Sequence, residues 1–145
     1  MKQTEELLKE VLSKQYFAVL NSVGESIVPY SNLVSFVITD NYKSLVFFTG
    51  KNTRKYNNIK GNEKVALLID NRTNQPSDIT QSTAITIIGT AQEKTGDISN
   101  LQKIFLERHP HLEQFVNDPD NVLILVKVQE YIIAGFDKTQ HVSIS

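Results

Sequence analysis

The stretch TGKNTRKYNNIKGNEK, read from Thr49, gathers Lys51, Arg54 and Lys55 around the first turn of a short helix. A helix start carries about half a positive charge and unpaired N–H groups, so cations there repel the dipole and one another. An anion reverses the sign of that cost. The polar turn Gly50-Lys51-Asn52 leads out of a strand, and the helix start then offers the Thr53 hydroxyl, free backbone N–H groups and the Arg54 and Lys55 side chains. These are the parts of a phosphate site: oriented donors hold the oxygens, a guanidinium adds a planar fork and an ammonium adds a mobile point charge. The competing explanation is a solvated basic helix on which Thr53 is an ordinary cap, a position that favours Ser and Thr anyway.

Other chemistries find less in the sequence. No G-x-G-x-x-G occurs, and the segment around Gly50 is not a Walker loop, because Leu45 stands at the first glycine position and Asn52 where Ser or Thr should follow the lysine. His109 and His111 flank Pro110 and could supply half a metal site, but spacing provides no third ligand, and a surface pair at a helix end is the expectation. His141 falls in a tail expected to be loose. No Ser-His-Asp or Cys-His arrangement can be argued from these contexts. The chain has no cysteine, which excludes disulfides, thiolate metal sites and thiol catalysis and fits a reducing compartment.

Charge is balanced, with 15 basic and 16 acidic residues and a formal net of −1, so no global field draws the chain to nucleic acid or an anionic membrane. The N-terminal MKQTEELLKEVLSK is charged and amphipathic rather than a signal peptide, and no run elsewhere approaches the ~20 apolar residues of a membrane span. A soluble, cytoplasmic protein is the expectation. Asn71-Arg72-Thr73 matches a glycosylation acceptor, which matters only in a secreted protein and is set aside.

The elements that must position the basic turn can be read from periodicity. At 145 residues and 40% hydrophobic, the chain suits one domain spanning 1–145. Leu7, Leu8, Val11 and Leu12 share one face of a helix near 4–14. Strands come next at YFAVLNS, IVPYSNLVSFVIT, SLVFFTG, KVALLID, STAITIIGTAQEK, NVLILVKV and EYIIAGF, with the basic helix at about 53–60 and a polar loop, NRTNQPSDITQ, between. A further helix, DISNLQKIFLER, is capped by Asp97 and presents Ile98, Leu101, Ile104 and Phe105 on one face. Six or seven meandering strands with few helices predict a mainly β fold, a barrel or strongly curled antiparallel sheet. Several strands are apolar at consecutive positions, so both faces should be covered, by these helices or by a second subunit.

The frame FFTGKNTRKYNNI carries a resemblance. Phe48-Thr49, then four residues, Arg54-Lys55 and Ile59 match the pattern of the FMN-binding split barrels related to pyridoxamine 5'-phosphate oxidase, and KVALLID and TAITIIGTAQE resemble that family's next two strands. The resemblance covers almost the whole chain and is most specific from Leu33 to Ala91. It implies a six-stranded antiparallel split barrel and a homodimer with two FMN molecules at the subunit interface. It implies that Arg54 and Lys55 grip the FMN phosphate, that Thr53 and Thr49 bond to it or to the ribityl chain, and that Phe48 packs nearby. Val34, Ser35 and Phe36 align with the strand beside the isoalloxazine ring, and Arg72 lies on a loop that could reach the partner's flavin.

Departures from that family narrow the activity. Pyridoxamine phosphate oxidases carry an arginine where this chain has Leu33 and a flavin-contacting glutamine near Ala84, and they end in a basic, aromatic-rich extension, whereas this chain ends AGFDKTQHVSIS. Vitamin B6 oxidation is therefore not expected. The resemblance implies an FMN-dependent oxidoreductase using a small-molecule electron donor and acceptor. The alternatives are a non-catalytic module for FMN or another phosphorylated ligand, and a haem-handling relative using His109 or His111.

Overall fold

The computed structural model describes residues 2–144. Helix α1 (Lys2–Lys14) turns Leu8, Val11 and Leu12 inward and lids the barrel. Strand β1 (Phe17–Val23) and strand β2 (Pro29–Ser35) form a hairpin through a turn at Glu25–Ile27. Strand β3 (Val37–Thr39) pairs with β4 (Ser44–Gly50), which leads to helix α2 (Arg54–Gly61) and strand β5 (Lys64–Asp70). After helix α3 (Asp78–Gln81) come β6 (Ala84–Glu93), α4 (Ser99–Arg108), a tight turn at Pro110–Leu112, α5 (Glu113–Asn117), β7 (Asn121–Ala134) and β8 (Thr139–Ser143).

All pairings are antiparallel, in the order β2-β1-β5-β6-β7-β4-β3, with β8 added to the second half of β7. The mainly β, curled sheet is the expected class, but among the described residues it has eight strands rather than the six or seven expected. Three local facts account for the difference. The segment expected as one strand through Thr39 breaks at Phe36, because β2 and β3 lie at opposite ends of the sheet order and the chain must cross the open seam between them. The two strands expected after residue 121 are one, β7, whose first half pairs with β4 and whose second half pairs with β8. The C-terminal segment expected to be loose is β8, with His141 opposite Ile132.

Bending of β7 is localised. Its register against β6 shifts between Ile88 and Gly89, so that Gln129 is skipped, and a Cβ on residue 89 would collide with the Lys127 carbonyl. The interior is filled from both ends of the sheet by residues such as Leu20, Leu45, Phe47, Leu67, Ile87, Val126 and Tyr131. A second cluster, Val46, Phe48, Phe105, Val116 and Leu123, lies on the opposite face of β4 and β7 beneath α4 and α5. The unbroken apolar runs of SLVFF and VLILV are thus covered within the chain. On β5 and β6 the outer row is different: Leu68 and Thr86, flanked by Val19 and Ile132, is only half-buried.

Candidate functional site

Helix α2 begins where it does because Thr53 is extended and caps it. The Thr53 hydroxyl accepts from the Tyr56 N–H at 3.3 Å, donates to the Gly50 carbonyl at 2.9 Å and lies 2.8 Å from the Thr49 hydroxyl. A hydroxyl has one proton and two lone pairs, so with Thr49 as donor all three are used. Thr53 therefore fixes the helix start, and its proton is already engaged. Thr49 is buried behind it.

The next two residues diverge. Lys55 points into a cleft of about 290 Å³ whose floor and walls include Val34, Ser35, Phe48 and Thr49. Burial lowers the Lys55 pKa, and among the described residues it has no ion-pair partner. Arg54 instead lays its guanidinium over the Tyr30 ring, 4.4 Å from the centroid, and makes no hydrogen bond or ion pair among the described residues. The remaining faces of α2 hold it in place: Tyr56 and Ile59 enter the core, and the buried Asn58 donates to the Ser22 hydroxyl at 3.0 Å.

The far wall of the cleft comes from α4, the Pro110–Leu112 turn and α5. Phe105 meets Phe48 edge-on at 5.0 Å, and Leu112 and Phe115 extend the wall outward. Phe17 and Leu33 form the opposite lip and are 61% and 66% exposed, so the cleft opens onto an apolar surface. Among the described residues, Lys55 is the one charged side chain that lines it. The sequence points to none of Phe17, Phe105, Leu112 and Phe115 as site residues, since the fold alone brings positions so distant in the chain to one mouth.

Of the residues expected from sequence, the cleft unites Val34, Ser35, Phe48, Thr49, Thr53 and Lys55. Phe36 is buried beyond it and walls a separate hollow with Arg108 and Tyr42. Arg72 does not join the cleft: its Nε sits 2.6 Å from the Asp70 carboxylate, on the surface.

His109 overturns the expectation of a surface histidine pair. It is 1% exposed, with Nε2 2.8 Å from the Phe36 carbonyl and its ring among those of Tyr16, Phe105 and the more exposed His111. Pro110 turns the chain sharply after α4 and tucks His109 beneath the seam. The sequence holds one clue, that Phe105 and His109 are four apart and share a helix face. Burial lowers the His109 pKa, against the Phe36 carbonyl bond, and the nearby Arg108 and His111 charges lower it further. Among the described residues no group of three or more His, Asp or Glu is placed to hold a metal, and no helix is long and apolar enough to cross a membrane.

A curled antiparallel sheet with a cleft at its open seam defines a split barrel. The family profile for pyridoxamine 5'-phosphate oxidase matches residues 4–133, and the chain belongs to that family. Among curated proteins none matches. Similar folds occur in General Stress Protein 26 from Bacillus anthracis, at 19% identity and a TM-score of 0.77 over 98% of this chain and 99% of that one. Campylobacter jejuni ChuZ has 14% identity and a TM-score of 0.85, covering 99% of this chain and 60% of its own. A haem-binding protein from Mycobacterium smegmatis has 12% identity and a TM-score of 0.82, covering 92% of this chain and 55% of its own. The chain therefore spans little more than half of those last two relatives.

Proposed function

We propose that this is a cytoplasmic FMN-binding flavoprotein, an oxidoreductase in which the Lys55 cleft receives the phosphate end of the cofactor. The observation that carries the reading is Lys55 itself. A half-buried ammonium with no anionic partner among the described residues, in an otherwise uncharged cleft, is costly to the free protein and becomes favourable once a phosphoryl group arrives. Arg54, whose donors are unspent, adds a second cation at the same helix start. The bound flavin would supply electron transfer; the chain supplies orientation, burial and electrostatics.

Size supports a second copy of the chain at the site. At about 290 Å³ the cleft is at the lower bound of ligand pockets, roughly 300 to 1,000 Å³, and would enclose only part of a flavin nucleotide. The exposed Phe17 and Leu33 at its lip, and the half-buried outer row of β5 and β6, supply apolar surface for a homodimer that completes the enclosure. Among the described residues Lys55 is the one acid or base that lines the cleft.

Purified protein provides the test. Flavin absorbance that bleaches under NADH or NADPH supports the oxidoreductase, and flavin retained without turnover supports a binding module. A second reading, haem handling, draws on the likeness to the haem-binding protein of Mycobacterium smegmatis. Burial of His109 and the bond from its Nε2 to the Phe36 carbonyl oppose it as a residue that would hold haem, leaving His111 as the candidate. A Soret band lost in His111→Ala would favour haem over flavin.

A further inference from the structure

We infer that Tyr30 is a positioning residue that holds the Arg54 guanidinium ready for a ligand's phosphate and so sets the preference for phosphorylated over unphosphorylated flavin. The inference rests on the FMN reading above and adds a residue that contributes no hydrogen bond to it.

The geometry is built from two residue pairs that interlock. Arg54 and Asn58 are four apart on α2 and therefore share a face. Ser22 and Tyr30 are direct cross-strand partners in the β1–β2 hairpin and therefore also share a face. The two faces meet. Asn58 donates to Ser22 at 3.0 Å, and one turn earlier Arg54 stacks on Tyr30 at 4.4 Å. Asn58 and Ser22 are both buried, so the contact is a fixed key between helix and hairpin. Gly24, at the hairpin end, leaves room for it, because a Cβ there would come within 2.8 Å of the Asn58 amide oxygen. Tyr30 is thereby delivered beneath Arg54 by the backbone.

The consequence for a ligand lies in how a guanidinium uses its surfaces. A cation over a ring is held by the ring's quadrupole rather than by a hydrogen bond, so the N–H donors of Arg54 stay free for phosphate oxygens. An unrestrained arginine at an exposed helix start would sample many rotamers and lose that freedom on binding. Held on Tyr30, Arg54 has less to lose, and the gain appears only with ligands that carry the phosphate.

The test compares FMN with riboflavin, which lacks the phosphate, by fluorescence titration of the intact chain. In the wild type FMN should bind more tightly than riboflavin. Tyr30→Leu should lower the FMN-to-riboflavin affinity ratio about two- to five-fold, the size of an exposed cation–π contact, with riboflavin affinity unchanged. Tyr30→Phe, which keeps the aromatic face, should restore the ratio. In an Arg54→Gln background Tyr30→Leu should have no further effect on it. If the wild type fails to bind FMN, the FMN reading falls and this inference with it. If the wild type prefers FMN but Tyr30→Leu keeps the ratio, or Tyr30→Phe loses as much as Tyr30→Leu, the positioning role alone is overturned.

Discussion

The connection from β4 into α2 and the one from β5 toward α3 are both polar, and each carries an arginine. In the second, the charges are paired internally. Arg72 pairs with Asp70, and the Asp78 carboxylate accepts the N–H groups of Thr73, Asn74 and Gln75 together with the Thr73 hydroxyl. Those bonds, the Thr73 N–H foremost, lower the Asp78 pKa. In the first connection only the cap is closed: Thr53 is saturated by nearby backbone and by Thr49, while Arg54 keeps its donors and Lys55 sits partly desolvated with no counter-charge among the described residues. The loop with both signs of charge has satisfied itself. The loop with cations alone is poised for an anion from outside.

The contrast breaks most decisively at the cations. Arg54→Ala combined with Lys55→Ala should weaken FMN binding by roughly 2 to 5 kcal/mol in a calorimetric titration, through loss of charge-assisted hydrogen bonds. Equal affinity in wild type and double mutant would remove the phosphate site. Next in size is the cap. Thr53→Ala should cost about 0.5 to 2 kcal/mol of stability in urea unfolding, and no change would mean that the hydroxyl network does not hold the helix start.

Acid should act through the seam behind the cleft. The folded-state pKa of His109 is lowered, so the unfolded chain takes up the proton first, near the ordinary histidine value of about 6.5. Stability is unaffected above that pH and declines as pH falls from it toward the lowered folded value. His109→Gln, which can still donate to Phe36, should flatten that part of a melting-temperature profile against pH. The smallest effect is reserved for the self-satisfied loop. Arg72→Ala should shift FMN affinity by less than about 0.5 kcal/mol, as for an exposed, locally paired residue. A larger loss would show that this loop reaches the flavin of a second copy.

Legibility tracks the range of the forces involved. The capped basic helix can be read because cap, dipole and cations all act within a few residues, and the strands that flank it because their apolar runs are local as well. His109 misleads because polarity suggests exposure, whereas Phe36 and Tyr16, which enclose it, are far away in sequence. The break at Phe36 is hidden for the same reason: nothing in SNLVSFVIT marks the point where the chain leaves one edge of the sheet for the other.

By itself, then, the sequence determined a β-rich chain and a helix start crowded with positive charge, since side-chain period and helix electrostatics are properties of neighbouring residues. Tertiary structure alone decided which of those cations enters the cleft, which lies on an aromatic ring, and which arginine is quenched by an aspartate. Those outcomes depend on where β1, β2 and α4 come to rest around the seam, and closing the sheet on itself is a property of the whole chain.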